Sequence, residues 1–358
     1  MSGVALPLLD AMLRCAGCHD QCLFATAEAA ASGDQARVVS RVAALGLQLN
    51  DGRLPWTVET AEALFYGLND GAQAEYCIYG SEGHRVEPYM RALRAEAVER
   101  GLAPAFVAAA AAARTASGNV FGVELPSNAG PWSGVVLLHD AAIAVLAPEA
   151  PRAARRLLDR AGLAGPDVWV QSSGAVEEEL GLVDAAEGAG ASAISAVESV
   201  DADLVVSADP VLVAHLRRLL AGRDHTPRVV HLVEALTATS IAFRIRAGSV
   251  AIHDDGASGR ALDLSSLVRA LVGRIPGLVV REPVNAGRWA TSDGPLAGYP
   301  SSGLAAAIAR RRYAELERAG ADLIVTVSPY SLANLRGVAG GTPVEDLAVF
   351  LDAVGEPG

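Results

Sequence analysis

The chain has 358 residues, with 29 Lys+Arg against 41 Asp+Glu and a formal net charge of −12. It is 51% hydrophobic with a mean hydropathy of +0.28, which excludes intrinsic disorder, while the acidic balance argues against non-specific nucleic-acid binding and against docking on an anionic membrane. A chain this long exceeds one comfortable core and predicts two or three domains.

Residues 1–115 read as mostly helical, with apolar positions at helical spacing over 38–45, 58–68 and 87–100. Residues 115–134 are rich in Gly, Ser, Asn and Pro without a period, and are expected to be a linker. Beyond them, short β-branched runs at 134–138, 167–171, 204–207, 229–232, 249–253, 278–282 and 323–327 predict strands. Helical patterns at 150–161, 211–220, 264–274, 303–319 and 344–354 alternate with these runs, which predicts parallel sheets covered on both faces. The fold class is therefore α/β, with a helical N-terminal module. The α/β part also reads as duplicated. Asp203–Ser207 followed by Asp209-Pro210 resembles Asp322–Thr326 followed by Ser328-Pro329, an offset of 119 residues. Ser172-Ser173-Gly174 is matched by Ser292-Asp293-Gly294 at an offset of 120.

The N-terminus carries no basic leader, and the most apolar stretch, 103–113, is about half the ~20 residues that a bilayer requires. No transmembrane segment is expected, and four cysteines make no disulfide framework, so a reducing cytoplasm is the expected compartment.

The placement of those thiols is more telling. Cys15-Ala-Gly-Cys18-His-Asp-Gln-Cys22 is Cys-x2-Cys-x3-Cys, the last three positions of the bacterial cluster-binding run, with Met12 where the first thiolate belongs. Cys77 opens a second run of complete spacing, in which Gly80, Gly83 and Glu87 hold the other ligand places before Pro88. Four thiolates can hold one iron–sulfur cubane. Three accounts stay open on spacing alone: a cluster, a structural zinc, or a core seam in which Cys15, Cys18 and Cys22 share a helix face with Leu8 and Met12. Glu87 and Met12 have more ordinary roles as cap and core residue.

With these residues placed, the chain resembles the iron–sulfur subunit family that accompanies glycolate oxidase, anaerobic glycerol-3-phosphate dehydrogenase and lactate-oxidation flavoproteins. That family shares its Cys-Cys-Gly ("CCG") domains with heterodisulfide reductase. The segment His253-Asp254-Asp255-Gly256…Gly259-Arg260 resembles its His-Asp-Pro-Cys…Gly-Arg, with Gly256 at the cysteine. Ser292-Asp293-Gly294 stands at its CCG, and Ser328-Pro329-Tyr330-Ser331 at its Cys-Pro-x-Cys. Ser172-Ser173-Gly174 and Asp209-Pro210-Val211-Leu212 hold the equivalent places in the first repeat. The resemblance implies a helical ferredoxin-like domain (1–115) and two CCG-like α/β repeats (116–245 and 246–358). It implies one [4Fe-4S] cluster on Cys15, Cys18, Cys22 and Cys77, serving electron transfer rather than catalysis. A flavoprotein dehydrogenase subunit carrying FAD or FMN, and a further electron carrier, would be the partners in a hetero-oligomer. No CCG position keeps a cysteine, so disulfide reduction is not expected. The alternative is a non-redox structural or assembly subunit of such a complex.

Two other features invite chemistry. His253-Asp254-Asp255, with Asp293 or Asp209, could hold a hard cation, although capping carboxylates explain it as well. Arg288 beside Trp289, and Arg310-Arg311-Arg312, could receive an acidic partner, although a solvated helix face is the plainer expectation. His19 is expected at the surface.

Overall fold

The computed structural model describes residues 6–80, 83–128, 133–199, 201–224 and 226–356. Ser81 and Glu82 of the second cysteine run, and residues 129–132 of the expected linker, lie outside them.

The N-terminal part is helical. The helices Leu6–Ala16, Val39–Asn50 and Glu87–Glu99 bury Met12, Leu49, Leu93 and Ala97 in one core. Gly46 is where they meet. A Cβ there would come within 2.6 Å of Leu93 Cδ1 and Met12 Cε, so a larger residue would push those two side-chain ends aside.

Two four-stranded sheets follow. The first comprises β1 (Ser133–His139), β2 (Asp167–Trp169), β3 (Asp201–Ser207) and β4 (Arg228–His231) in the order β2-β1-β3-β4. The second comprises β5 (Gly248–His253), β6 (Leu278–Val280), β7 (Leu323–Thr326) and β8 (Val344–Asp346) in the order β6-β5-β7-β8. Every strand pairing is parallel. The identical order gives the duplicated sequence a duplicated topology. Parallel strands need both faces covered, and here Leu137, Val206, Ile252, Val325 and Phe350 join one core, while Val136, Val205 and Leu216 fill the outer face of the first sheet.

In each sheet the chain runs from the second strand of the order outward, then crosses back to the third. The crevice between those two strands is the point at which open α/β sheets place their sites. His139-Asp140 and Ala208-Asp209 leave the first sheet there; His253-Asp254-Asp255 and Val327-Ser328 leave the second.

One expected helix is corrected. Residues 344–354 divide into β8 and the helix Leu347–Val354, because Asp346 accepts the amides of Ala348 and Val349 and starts the helix only there. The 17-residue helix Val183–Ser199 was not anticipated, since its Ala, Gly and Ser content masks any stripe; Gly190 lies against Leu219, where a Cβ would stand 3.0 Å from Cδ1.

Arg94 fastens the helical part to the first sheet's domain. It is 4% exposed and donates to Leu64 O (3.2 Å), Glu179 O (2.9 Å), the Glu179 carboxylate and Gly67 O. Arg94→Ala leaves one oxygen of a half-buried carboxylate and three carbonyls without this donor, and should cost about 3 kcal/mol in urea unfolding. A loss below about 1 kcal/mol would show the guanidinium to be dispensable.

Candidate functional site

The helix Leu6–Ala16 ends just after Cys15, so the three clustered thiols do not share one helix face. Cys18 follows in a turn whose amide bonds to Cys15 O at 3.0 Å, and Cys22 sits in the 3-10 turn Gln21–Ala25. Asp20, at φ 59°, turns the chain between them; its carboxylate is held by the Ser40 hydroxyl and by Arg41 Nη2 at 2.9 Å. Thr26 Oγ1 then donates to Cys22 O at 2.9 Å, which closes the loop. The shared helix face is therefore corrected, although Cys15 and Cys22 do lie buried in the same core as Met12, with Leu8 packed against it.

Cys77 arrives from the other side. It follows the short helix Ala72–Glu75, in a turn closed by Gly80 N on Cys77 O at 3.0 Å. Cys15, Cys18, Cys22 and Cys77 all line one cavity of about 20 Å3, with Val39, Gln73 and His84 among its other walls. That is about the space of one water molecule and too little for an organic cofactor. Met12 and Glu87 do not line it: Met12 is fully buried in the helical core. His19 is exposed, as expected.

The electrostatics follow from depth. Burial pushes the Cys15 thiol up to about 11 and Cys22 up to about 12, and each of the two is raised further by the other three thiols or by part of that set. Burial also raises Cys77, but the backbone amides of Tyr79 and Gly80 point at its sulfur and pull the other way. The Tyr89 hydroxyl is fully buried beside Cys15, whose thiol acts on it and is lowered by it in turn. Peptide and phenol donors aimed at sulfur suit thiolates better than thiols, since a neutral thiol is a weak acceptor. The donor set thus fits an iron–sulfur group. Among the described residues, no three His, Cys, Asp or Glu side chains stand in an arrangement that holds a single metal ion. Sequence reasoning missed Tyr89 and His84; the one signal for Tyr89 was its place in the first turn after Pro88, just beyond the cysteine run.

A second, larger cavity of about 320 Å3 lies at the crevice of the second sheet, walled also by the helical part and by residues 175–180 and 211–218. Gly256, Ser292, Asp293, Ser328 and Ser331, the second-repeat positions that the resemblance assigns to cysteines, all line it. Glu87 lines it too.

The hard-cation expectation for the His253 loop is not met. Asp254 is gripped by Arg269 through two 2.9 Å bonds and by Gly287 N at 2.7 Å. Asp255 caps the following turn, accepting from Ala257 N at 2.7 Å and from the Ser258 hydroxyl at 2.7 Å. His253 is buried between Arg312, whose Nε donates to Nδ1 at 3.1 Å, and Asp293, whose Oδ1 lies 3.0 Å from Nε2. The ring proton therefore sits on Nε2. Burial would raise the Asp293 carboxyl, yet His253, Asn334 and Ser331 together hold it below the usual range. Arg312 itself corrects the expected solvated face. Arg310 and Arg311 are exposed, but Arg312 is fully buried, 3.0 Å from Glu315. Arg288 is spent on Glu75 at 2.7 Å.

Neither a family model nor a curated protein matches the chain. No helix among the described residues is long and apolar enough to cross a membrane.

Proposed function

We propose that the chain is an electron-transfer subunit of an oxidoreductase complex, holding one [4Fe-4S] cluster on Cys15, Cys18, Cys22 and Cys77. The observation that carries this is the convergence of all four cysteines, from segments 55 residues apart, on one cavity with hydrogen-bond donors turned toward sulfur. Such a cluster supplies one-electron steps, which are what a two-electron flavin needs beside it when it discharges. The chain's own residues would hold the sulfurs, keep bulk water from Cys15 and Cys22, and donate hydrogen bonds from Tyr89, Tyr79 and Gly80. A flavoprotein dehydrogenase subunit with FAD or FMN is the proposed donor, a further carrier the acceptor, and the cytoplasm the proposed compartment. The α/β repeats, in the CCG arrangement, would serve as the docking scaffold. The gathering of the five second-repeat positions at one cavity supports that arrangement.

Anaerobic purification should give brown protein with iron and acid-labile sulfide near four each per chain, and an electron paramagnetic resonance signal on reduction. Colourless protein, or zinc in place of iron, removes the proposal.

A second account, a non-redox assembly subunit, draws on the same larger cavity. Its second-repeat walls offer Gly, Ser and Asp where the resemblance expects thiols. Both accounts predict a stable complex with a coloured flavoprotein; only the first predicts iron in this chain.

A further inference from the structure

The wall of the four-cysteine cavity includes one buried amide, Gln73, that has no part in holding sulfur. Gln73 is 3% exposed; its Nε2 donates to Leu68 O at 3.2 Å, and its Oε1 is buried without a partner among the described residues. The N–H of the same Leu68 is held by Glu28 Oε1 at 3.0 Å, and Glu28 Oε2 is likewise buried and unmet. Glu28 itself is 1% exposed. An acid and an amide thus brace one residue through its N–H and its C=O, each with one oxygen left over. Standard backbone dimensions keep the Glu28 carboxyl within about 10 Å of the Gln73 amide, and Gln73 shares its cavity with the four sulfurs.

The groups around Glu28 do little to neutralise it. Its helix, Ala27–Ser32, packs on the turns Gln21–Ala25 and Gln35–Arg37 and on the helix Ser302–Glu317. Gln21–Ala25 carries Cys22 as its titratable side chain, and Arg37 lies over the Tyr66 ring at 3.8 Å. Ser302–Glu317 presents Leu304 and Ile308 to that side; its Arg310 and Arg311 are exposed, and its Arg312 pairs with Glu315. Asp70, Arg94 and Tyr299 also act on Glu28 or feel its charge. Asp70 disfavours ionisation; Arg94 favours it but is bound to Glu179, and the Tyr299 hydroxyl is given to Tyr66 O. Burial outweighs Arg94 and pushes the Glu28 carboxyl up to about 8.

We propose that Glu28 is a proton carrier for the four-cysteine site, taking one proton from solvent onto its carboxylate for each electron that the cluster takes up. This role rests on a cluster being held there. One electron passes from the reduced flavin to the cluster and one proton from water to Glu28, so the helical core gains no net charge. Without the proton, an added electron would stand near a buried carboxylate, where a low dielectric penalises like charges. Proton uptake removes that penalty.

Potentiometric titration of the reconstituted full chain with dithionite, followed by visible absorbance from pH 7 to 9.5, tests this in wild type and Glu28→Gln. A unit charge about 12 Å away, at an effective dielectric of about 20, changes a one-electron equilibrium about tenfold. The wild-type potential should therefore fall across this range by an amount approaching about 59 mV, the tenfold equivalent for one electron. Glu28→Gln, which keeps the acceptor for Leu68 N and cannot ionise, should hold the pH 7 potential throughout. His84, the histidine in the cavity wall, is lowered from 6.5 by burial and so titrates below the range. A flat wild-type potential, or equal falls in the two proteins, would overturn the role of Glu28 and leave the cluster standing. A chain that assembles no cluster would overturn both.

Discussion

Cys77→Ser and Cys18→Ser are each expected to abolish the visible absorbance and the iron content. Cys77 is the one sulfur supplied by the second segment, and without it the cavity keeps three thiols where a cubane takes four. Serine places a hard oxygen with a much higher pKa at a site that selects soft, anionic donors. The sign of the pH dependence follows from depth. With Cys15 near 11 and Cys22 near 12, both are thiols at neutral pH, so assembly must expel their protons. Reconstitution should therefore acidify a weakly buffered solution. It should also weaken as pH falls, by about tenfold per unit for each proton released. If the thiols were only core residues, Cys77→Ser would change little, because Cys77 is only partly buried and its neighbours are half polar. Full iron retained in Cys77→Ser would remove Cys77 from the ligand set and leave the Cys15–Cys22 loop to find another fourth donor.

Much of the fold was legible because parallel strands buried on both faces read as plain runs of Val, Ile and Leu, as β3, β5 and β7 do. The duplicated offset was legible for the same reason: the residues that leave β3 and β7 at the crevice, Asp209-Pro210 and Ser328-Pro329, carry helix-starting chemistry that sequence alone displays. Edge strand β8 was not, since three residues flowing into a helix give no period of their own. At the site, cysteine spacing named the four thiols. It could not foretell that Asp20 in a left-handed turn, held by Ser40 and Arg41, would bend three of them out of a helix. The larger cavity was invisible for a different reason. Its walls come from the helical part, from residues 175–180 and 211–218 and from the crevice of the second sheet, which only folding brings together. Arg312 shows the limit most plainly: three consecutive arginines look alike in sequence, and one of them is inside.

Raising the pH from 6 to 9 should weaken the fold through Glu28, and Glu28→Gln should abolish that part of the loss. Glu28 is 1% exposed in the helix Ala27–Ser32; its Oε1 accepts Leu68 N at 3.0 Å and its Oε2 has no partner. Burial pushes its pKa from 4.5 to about 8; nearby Asp70 pushes the same way, and Arg94 and the Leu68 amide oppose. The folded chain thus keeps a proton that the unfolded chain releases. The stability from this group is complete below pH 4.5, falls as pH rises toward 8, and is constant above it. Between pH 6 and 9 the remaining loss is about 3 kcal/mol. Asp140 and Asp346, raised by burial to about 7, act with the same sign in this window. His215 and His231, lowered by burial to about 4, act with the opposite sign but below pH 6.5. The informative quantity is therefore the difference between wild type and variant, from urea unfolding at both pH values. A smaller advantage for Glu28→Gln at pH 6 and a larger one at pH 9 are expected, because an amide fills the same space without a charge to desolvate. Parallel losses in the two proteins would mean that the Glu28 carboxyl ionises as freely inside the helical core as it does in water.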